Sequence, residues 1–76
     1  MQIKVYGTGC AKCRKAETIV RRALAETGNT AEVVRVSDLK EIVMAGVLRT
    51  PAVAVDDAMK VIGRAPTLDE VKGWIG

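Results

Sequence analysis

The stretch GTGCAKC, residues 7–13, joins the two segments that decide the fold of this chain. Before it, QIKVY (2–6) alternates between polar and apolar residues, which predicts a β-strand with one apolar face. After it, residues 11–27 carry apolar side chains at the spacing of an amphipathic helix, and Gly28 is a typical left-handed stop. The two cysteines therefore lie where a strand ends and a helix begins.

The rest of the chain supplies five more elements. The third strand is apolar throughout, which predicts burial on both faces. The elements predicted after Gly28 are a strand at 31–36, a helix from Leu39 to Met44 or Ala45 begun by Asp38 and Glu41, strands at 52–55 and 59–62, and a helix begun by Thr67 and Glu70 that ends at Trp74 or Ile75.

The order β-α-β-α-β-β-α predicts one α/β domain over residues 1–76, with a four-stranded mixed sheet and helices on both faces. A helix separates strands one and two, and another separates strands two and three. Both connections predict parallel right-handed crossovers, and the final hairpin adds an antiparallel edge.

Composition narrows the possible functions. Hydrophobic residues make up 49% of the 76 residues and charged residues 28%, which is a globular mixture. No apolar run approaches the roughly 20 residues of a membrane span, and the N-terminus lacks the apolar region of a signal peptide. The net charge is only +3, and Tyr6 and Trp74 are the only aromatic residues, both expected in the core. We therefore expect a cytoplasmic protein that binds neither membranes nor nucleic acid.

The position of Cys10 and Cys13 predicts two different thiols. Cys10 falls at the helix N-cap, where unpaired backbone N–H groups and the positive end of the helix dipole favour a thiolate. Cys13 falls one turn later, on the stripe predicted to face the core. Lys12, Arg14 and Lys15 add positive charge, and Lys12, between the cysteines, is the cation we expect to matter most.

Three interpretations of the pair are open from the residues alone: thiol–disulfide exchange, binding of a soft metal, or two buried structural thiols. Two thiolates suit Cu(I), and copper-chaperone domains also place C-x-x-C after their first strand. Those domains carry methionine where this chain has Thr8, and their element order is β-α-β-β-α-β. A tetrahedral zinc site needs four ligands, and one chain offers two.

Two further features accompany the pair. Gly7 and Gly9 either let a substrate approach the backbone closely or only turn the chain. Thr50-Pro51 stands just before the third strand, where composition alone favours an ordinary trans bond.

Taken together, YGTGCAKC (6–13), GVLRTPAVAV (46–55) and VIGRAPTLDEVKGWI (61–75) resemble the thioredoxin-like redox-active disulfide proteins of archaea and bacteria, over the full length of the chain. The resemblance implies that Cys10 is the exposed nucleophile and Cys13 the resolving thiol. It also implies that Pro51 is a cis-proline opposite the pair and that the backbone of Thr50 pairs with an extended substrate segment. Gly9 and Lys12 would support that substrate.

The implied function is a cytoplasmic, monomeric thiol–disulfide oxidoreductase that reduces disulfides in partner proteins. Its only redox group would be the Cys10–Cys13 disulfide itself, with no metal and no separate cofactor, and a thioredoxin-reductase-like donor would regenerate it. Three features of the family pattern are missing from this sequence. They are the aromatic residue and proline around the cysteines, an acidic proton acceptor, and a glycine-rich segment that binds glutathione. The alternative function is a Cu(I) carrier that uses the same two cysteines.

Overall fold

A computed structural model describes residues 1–75 of the chain. Its elements follow the predicted β-α-β-α-β-β-α order, and the predicted boundaries agree within one residue. They are β1 (Gln2–Tyr6), α1 (Ala11–Thr27), β2 (Glu32–Val36), α2 (Leu39–Met44), β3 (Ala52–Val55), β4 (Ala58–Ile62) and α3 (Leu68–Ile75).

The four strands form one mixed sheet in the order β2-β1-β3-β4. β1 runs parallel to β2, with Tyr6 opposite Val36, whereas β3 runs antiparallel to β1, with Tyr6 opposite Ala52. β4 returns antiparallel to β3 after a turn in which Asp56 and Asp57 both have positive φ. The ends of β1, β2 and β4 and the start of β3 therefore meet at one edge of the sheet.

The predicted parallel crossover from the second strand to the third is wrong, because β3 runs in the opposite direction. The reason is the length of α2, which has six residues and spans only about 9 Å at 1.5 Å per residue. A strand of five residues spans about 17 Å, so this helix does not carry the chain back along the sheet. The chain instead re-enters the sheet at the edge from which it left.

The helices cover the two faces of the sheet unequally. α1 and α3 pack together on one face, against Ile3 and Val5 of β1. The shorter α2 covers the other face through Ile42, which packs among Tyr6, Val36, Val47 and two alanines of β3. All four residues of β3 are buried, as the apolar run predicts.

The buried stripe of α1 agrees with the predicted one except at its end. Cys13, Ala16, Val20, Ala23 and Leu24 are buried, but Thr27 is exposed and its hydroxyl donates to the carbonyl of Ala23. Gly28 ends the helix at a φ of 69°. In α3, Val71 and Ile75 are buried, whereas Trp74, expected in the core, is only half-buried.

Within residues 1–75, no helix combines the length and the apolar character needed to cross a membrane.

Candidate functional site

The two cysteines are free thiols whose sulfur atoms lie 2.8 Å apart, within hydrogen-bonding distance. Cys10 is exposed and Cys13 is 6% exposed, which is the asymmetry that the helix stripe predicts. Cys10 has an extended backbone at the N-cap of α1, and the first turn of this helix carries no acidic residue. The site therefore presents one sulfur to solvent and holds a second sulfur directly behind it.

The surroundings of Cys10 favour its thiolate. Its pKa is lowered first by the hydrogen bond from the Cys13 thiol, and then by the backbone N–H groups of Cys13 and Lys12. Partial desolvation acts in the opposite direction but is a smaller effect than the hydrogen bonds from Cys13. Lys12 thus contributes through its backbone amide, whereas the sequence suggested its ammonium group. The lowered pKa of Cys10 therefore follows first from the neighbouring Cys13 thiol and then from the backbone N–H groups at the start of α1.

Gly7 has a role that neither of the two expectations for it describes. A Cβ atom at Gly7 would overlap the Cys13 sulfur and would lie 2.7 Å from the Cys13 Cβ, closer than such atoms pack. The absence of a side chain at Gly7 is therefore what lets Cys13 pack against the end of β1. The contact joins the residue after β1 to the first turn of α1, and the sequence pattern alone gives no signal for it.

Gly9 is required for a different reason. Its φ is +89°, a conformation that residues with a side chain rarely adopt, and nothing lies within 4 Å of the position a Cβ would take. Gly9 therefore turns the chain from β1 into α1. The open space beside it is compatible with the approach of a substrate, which remains a prediction.

The Thr50–Pro51 segment leads into β3 at the end of the sheet where β1 leads into the cysteine segment. Because Tyr6 is opposite Ala52 in the antiparallel pair, Gly7 directly follows β1 and Pro51 directly precedes β3 at the same end of the two strands. The Thr50–Pro51 peptide bond is cis, Pro51 is buried and Thr50 is half-buried. The carbonyl of Pro51 accepts a hydrogen bond of 2.8 Å from the N–H of Gly63, which the sequence did not single out. The loop after β4 therefore fixes the position of Pro51.

No carboxylate lies under the pair, because residues 1–75 contain no buried polar or charged side chain. The described chain also contains no group of three or more Cys, Asp or Glu side chains placed to hold a metal ion. The observed element order differs from the β-α-β-β-α-β order expected for a copper chaperone. The exposed Cys10 sulfur and the buried Cys13 sulfur, 2.8 Å apart, are arranged so that a third sulfur can reach Cys10 from solvent.

A groove of about 490 Å³ lies elsewhere, on the sheet face that α2 covers. It is lined by Lys4, Tyr6, Val34, Val36, Glu41, Met44 and Ala45, and neither cysteine reaches it. The groove is therefore separate from the cysteine site.

Comparison with known proteins agrees with this geometry. The family model described as "Thioredoxin domain" matches residues 1–76. A thioredoxin of Methanothermobacter thermautotrophicus is 39% identical over 72 residues, which cover 95% of this chain and 94% of the relative. A thioredoxin of Methanocaldococcus jannaschii is 41% identical over 70 residues, which cover 92% of this chain and 80% of the relative.

Proposed function

The chain belongs to the thioredoxin domain family, and from that premise we propose how its cysteine pair works. The protein is a thiol–disulfide oxidoreductase. The observation that carries the assignment of roles is the exposed Cys10 sulfur, with its lowered pKa, 2.8 Å from the buried Cys13 sulfur.

The cycle begins when the Cys10 thiolate attacks one sulfur of a substrate disulfide. A Cys10–substrate disulfide forms, the substrate S–S bond breaks, and the released substrate thiolate takes a proton from water. Cys13 then loses its proton to water, because no buried carboxylate lies beneath it, and attacks the Cys10 sulfur. The second substrate thiolate leaves and is protonated. Two electrons have passed to the substrate, and the protein holds a Cys10–Cys13 disulfide.

Pro51 and Thr50 give the substrate a place to bind. The N–H of Gly63 fixes Pro51 just before β3, at the end of the sheet where Gly7 follows β1. The half-buried Thr50 precedes it, so its backbone is placed to pair with an extended segment around the substrate disulfide. Gly9 and Lys12, which flank Cys10 closely along the chain, would support the same substrate segment.

The relatives named thioredoxin support a reducing role toward disulfide-containing proteins. In that role a separate thioredoxin-reductase-like donor returns two electrons and two protons to the Cys10–Cys13 disulfide, and no further cofactor takes part. We propose that this cycle takes place in the cytoplasm, because a reducing compartment keeps the dithiol available. We also propose that the protein acts as a monomer.

Turnover of a protein disulfide by wild type, Cys10→Ser and Cys13→Ser tests the assignment. We expect wild type to turn over, Cys10→Ser to be inactive, and Cys13→Ser to accumulate a mixed disulfide through Cys10. Wild type that is inactive with both thiols free would overturn the proposed cycle. Trapping of the substrate by Cys10→Ser would reverse the two roles.

A further inference from the structure

The basic side chains of the protein fall into two groups. Six of the 12 form ion pairs within the described chain, and they are Lys4, Arg21, Arg22, Arg35, Arg64 and Lys72. Four of the remaining six border the cysteine site, and all four are exposed. We call these four the basic rim: Lys12, Arg14, Lys15 and Arg49.

The rim has two sides. Lys12, Arg14 and Lys15 lie on the first turns of α1, within about 8 Å of helix rise from Cys10. Arg49 lies on the segment that leads into β3, one residue before Thr50. Its side-chain stem packs on the backbone of Gly63, where a Cβ atom would be 3.3 Å from the Arg49 Cβ and 3.5 Å from its Cδ. That packing holds the Arg49 stem on the loop that also fixes Pro51.

The protein itself makes little use of these four charges. None of them forms an ion pair with another described residue, and the causes that lower the pKa of Cys10 are the Cys13 thiol and backbone N–H groups rather than ammonium or guanidinium charges. Cations at a helix start also oppose the helix dipole, which favours acidic residues there. A local arrangement that does not favour the fold is typical of a functional surface.

Two carboxylates at the same edge of the sheet are already engaged. Asp38 accepts from the backbone N–H of Lys40 at the start of α2. Glu70 accepts two hydrogen bonds of 2.8 Å from the guanidinium of Arg64. The four charges of the rim are therefore exposed to solvent and without an ion pair among the described residues.

We propose that the basic rim is a docking surface for protein disulfides flanked by carboxylate side chains. The proposal rests on the exchange reaction proposed above and specifies its substrate class. Opposite charges around two reacting sulfurs raise the rate of encounter and favour one orientation. Leu48, which is 88% exposed next to Arg49, adds an apolar contact at the edge of this surface. A single-stranded nucleic acid is the competing polyanion, but no aromatic side chain is exposed here for bases to stack on.

The test compares three synthetic peptides of equal length that carry the same disulfide between Glu, Gln or Lys flanks. Each peptide reacts with the fully reduced full-length protein, and the second-order rate constant is measured from thiol release. At about 0.01 M salt, where the Debye length is about 30 Å, we expect the Glu peptide to react about tenfold faster than the Gln peptide. The Lys peptide should be slowest. At about 1 M salt, where the Debye length is about 3 Å, the three rates should converge.

The variant that removes the rim is Lys12→Gln, Arg14→Gln, Lys15→Gln and Arg49→Gln combined, and its Glu-to-Gln peptide rate ratio should fall to one. Arg22→Gln is the matched control, because Arg22 lies on the same helix, about 18 Å of rise from Cys10. Because about 18 Å is shorter than the Debye length of about 30 Å, this control should lower the ratio slightly, and far less than the rim variant does. Equal rates for the three peptides with wild type would overturn the rim proposal while leaving the exchange reaction intact. Failure of all three peptides would count against the exchange reaction itself.

Nucleic acid is tested in the same assay. An oligothymidylate that inhibits the Glu-peptide reaction at lower concentration than a polyglutamate of equal charge would overturn the proposal and assign the rim to nucleic acid. Stronger inhibition by polyglutamate supports the proposed acidic protein partner.

Discussion

The sulfur of Cys13 has two close neighbours, and each determines a different property of the site. On one side it donates to Cys10, which lowers the pKa of the attacking thiol. On the other side it rests on the backbone of Gly7, which keeps it out of solvent. Cys13 thus both lowers the pKa of the exposed Cys10 thiol and supplies the buried sulfur that resolves the mixed disulfide.

Two substitutions of Cys13 separate hydrogen bonding from packing. Cys13→Ala removes the donor that is the largest cause of the lowered Cys10 pKa, so this pKa should rise toward its ordinary value. Cys13→Ser keeps a hydroxyl donor, so the pKa of Cys10 should stay lower than in Cys13→Ala. The measurement is the rate of alkylation of Cys10 by iodoacetamide as a function of pH. Identical profiles for the two variants would show that the hydrogen bond is not the cause.

Much of the arrangement of individual residues in the site is predictable from the sequence. The spacing of Cys10 and Cys13 on the helix stripe predicts which sulfur is exposed, because helix periodicity determines the direction in which each side chain points. The contact between Gly7 and Cys13 is not predictable in this way. It depends on how the loop brings the end of β1 to the first turn of α1, and glycine at a loop position has several possible causes.

Among the elements, α3 shows how one side chain can hold both a helix start and a loop. The N–H of Glu70 donates to the Thr67 hydroxyl, and the N–H of Thr67 donates to the Glu70 carboxylate, which completes the predicted capping box. The same carboxylate pairs with Arg64 in the loop after β4. These interactions hold the pKa of Glu70 at about 2, chiefly through Arg64.

Because the pKa of Glu70 is lowered in the folded protein, the stability of the fold should depend on pH in the acidic range. A carboxyl whose pKa is lower in the folded protein than in the unfolded chain stabilises the fold above the unfolded pKa, and the effect is lost as the pH falls through the folded pKa. Wild type should therefore have a higher Tm than Glu70→Gln at neutral pH. The difference should shrink between pH 4.5, the ordinary pKa, and about pH 2. The measurement is thermal unfolding of both proteins across that range.

Asp69→Asn is the matched control for this prediction. Asp69 lies in the same first turn of α3 but forms no ion pair with another described residue. Its substitution should leave most of the acid dependence in place. An acid dependence that disappears in Asp69→Asn but persists in Glu70→Gln would contradict the assignment to Glu70.

The boundaries of the elements were easier to predict than the direction of one strand. α1 is predicted correctly from Ala11 to Thr27, because its apolar stripe is long and Gly28 gives a clear stop. The AVAV run of β3 predicts burial, but apolar residues on both faces carry no information about direction. Direction depends on whether the connection from β2 spans the sheet, and with a six-residue α2 it does not.

For the molecule as a whole, stability depends mainly on the larger of its two apolar clusters. That cluster joins α1 and α3 to one face of the sheet and includes Val20, Leu24 and Val71. The other cluster depends on α2, which buries Ile42 but leaves Leu39, Val43 and Met44 exposed. The two faces of the sheet therefore differ in how much apolar surface they remove from water.

Two leucine substitutions test this difference. Leu24 is 8% exposed in the larger cluster, and Leu24→Ala should cost about 2–5 kcal/mol of the free energy of unfolding. Leu48 is 88% exposed, and Leu48→Ala should change that free energy by less than about 0.5 kcal/mol. Denaturant unfolding of both variants measures the two values. A loss below about 1 kcal/mol for Leu24→Ala would mean that the buried stripe of α1 lies elsewhere.

The segment from Gly7 to Cys13 contains two glycines that are fixed for unrelated reasons, and this determines how the protein can be redesigned. Gly7 has no space for a side chain, and Gly9 has a backbone conformation that side chains disfavour. Thr8, Ala11 and Lys12 between and after them are exposed. A combinatorial library of this segment would therefore keep both glycines and both cysteines and randomise only these three positions. Chemical diversity would then be introduced around the Cys10 sulfur without changing the residues that fix the backbone.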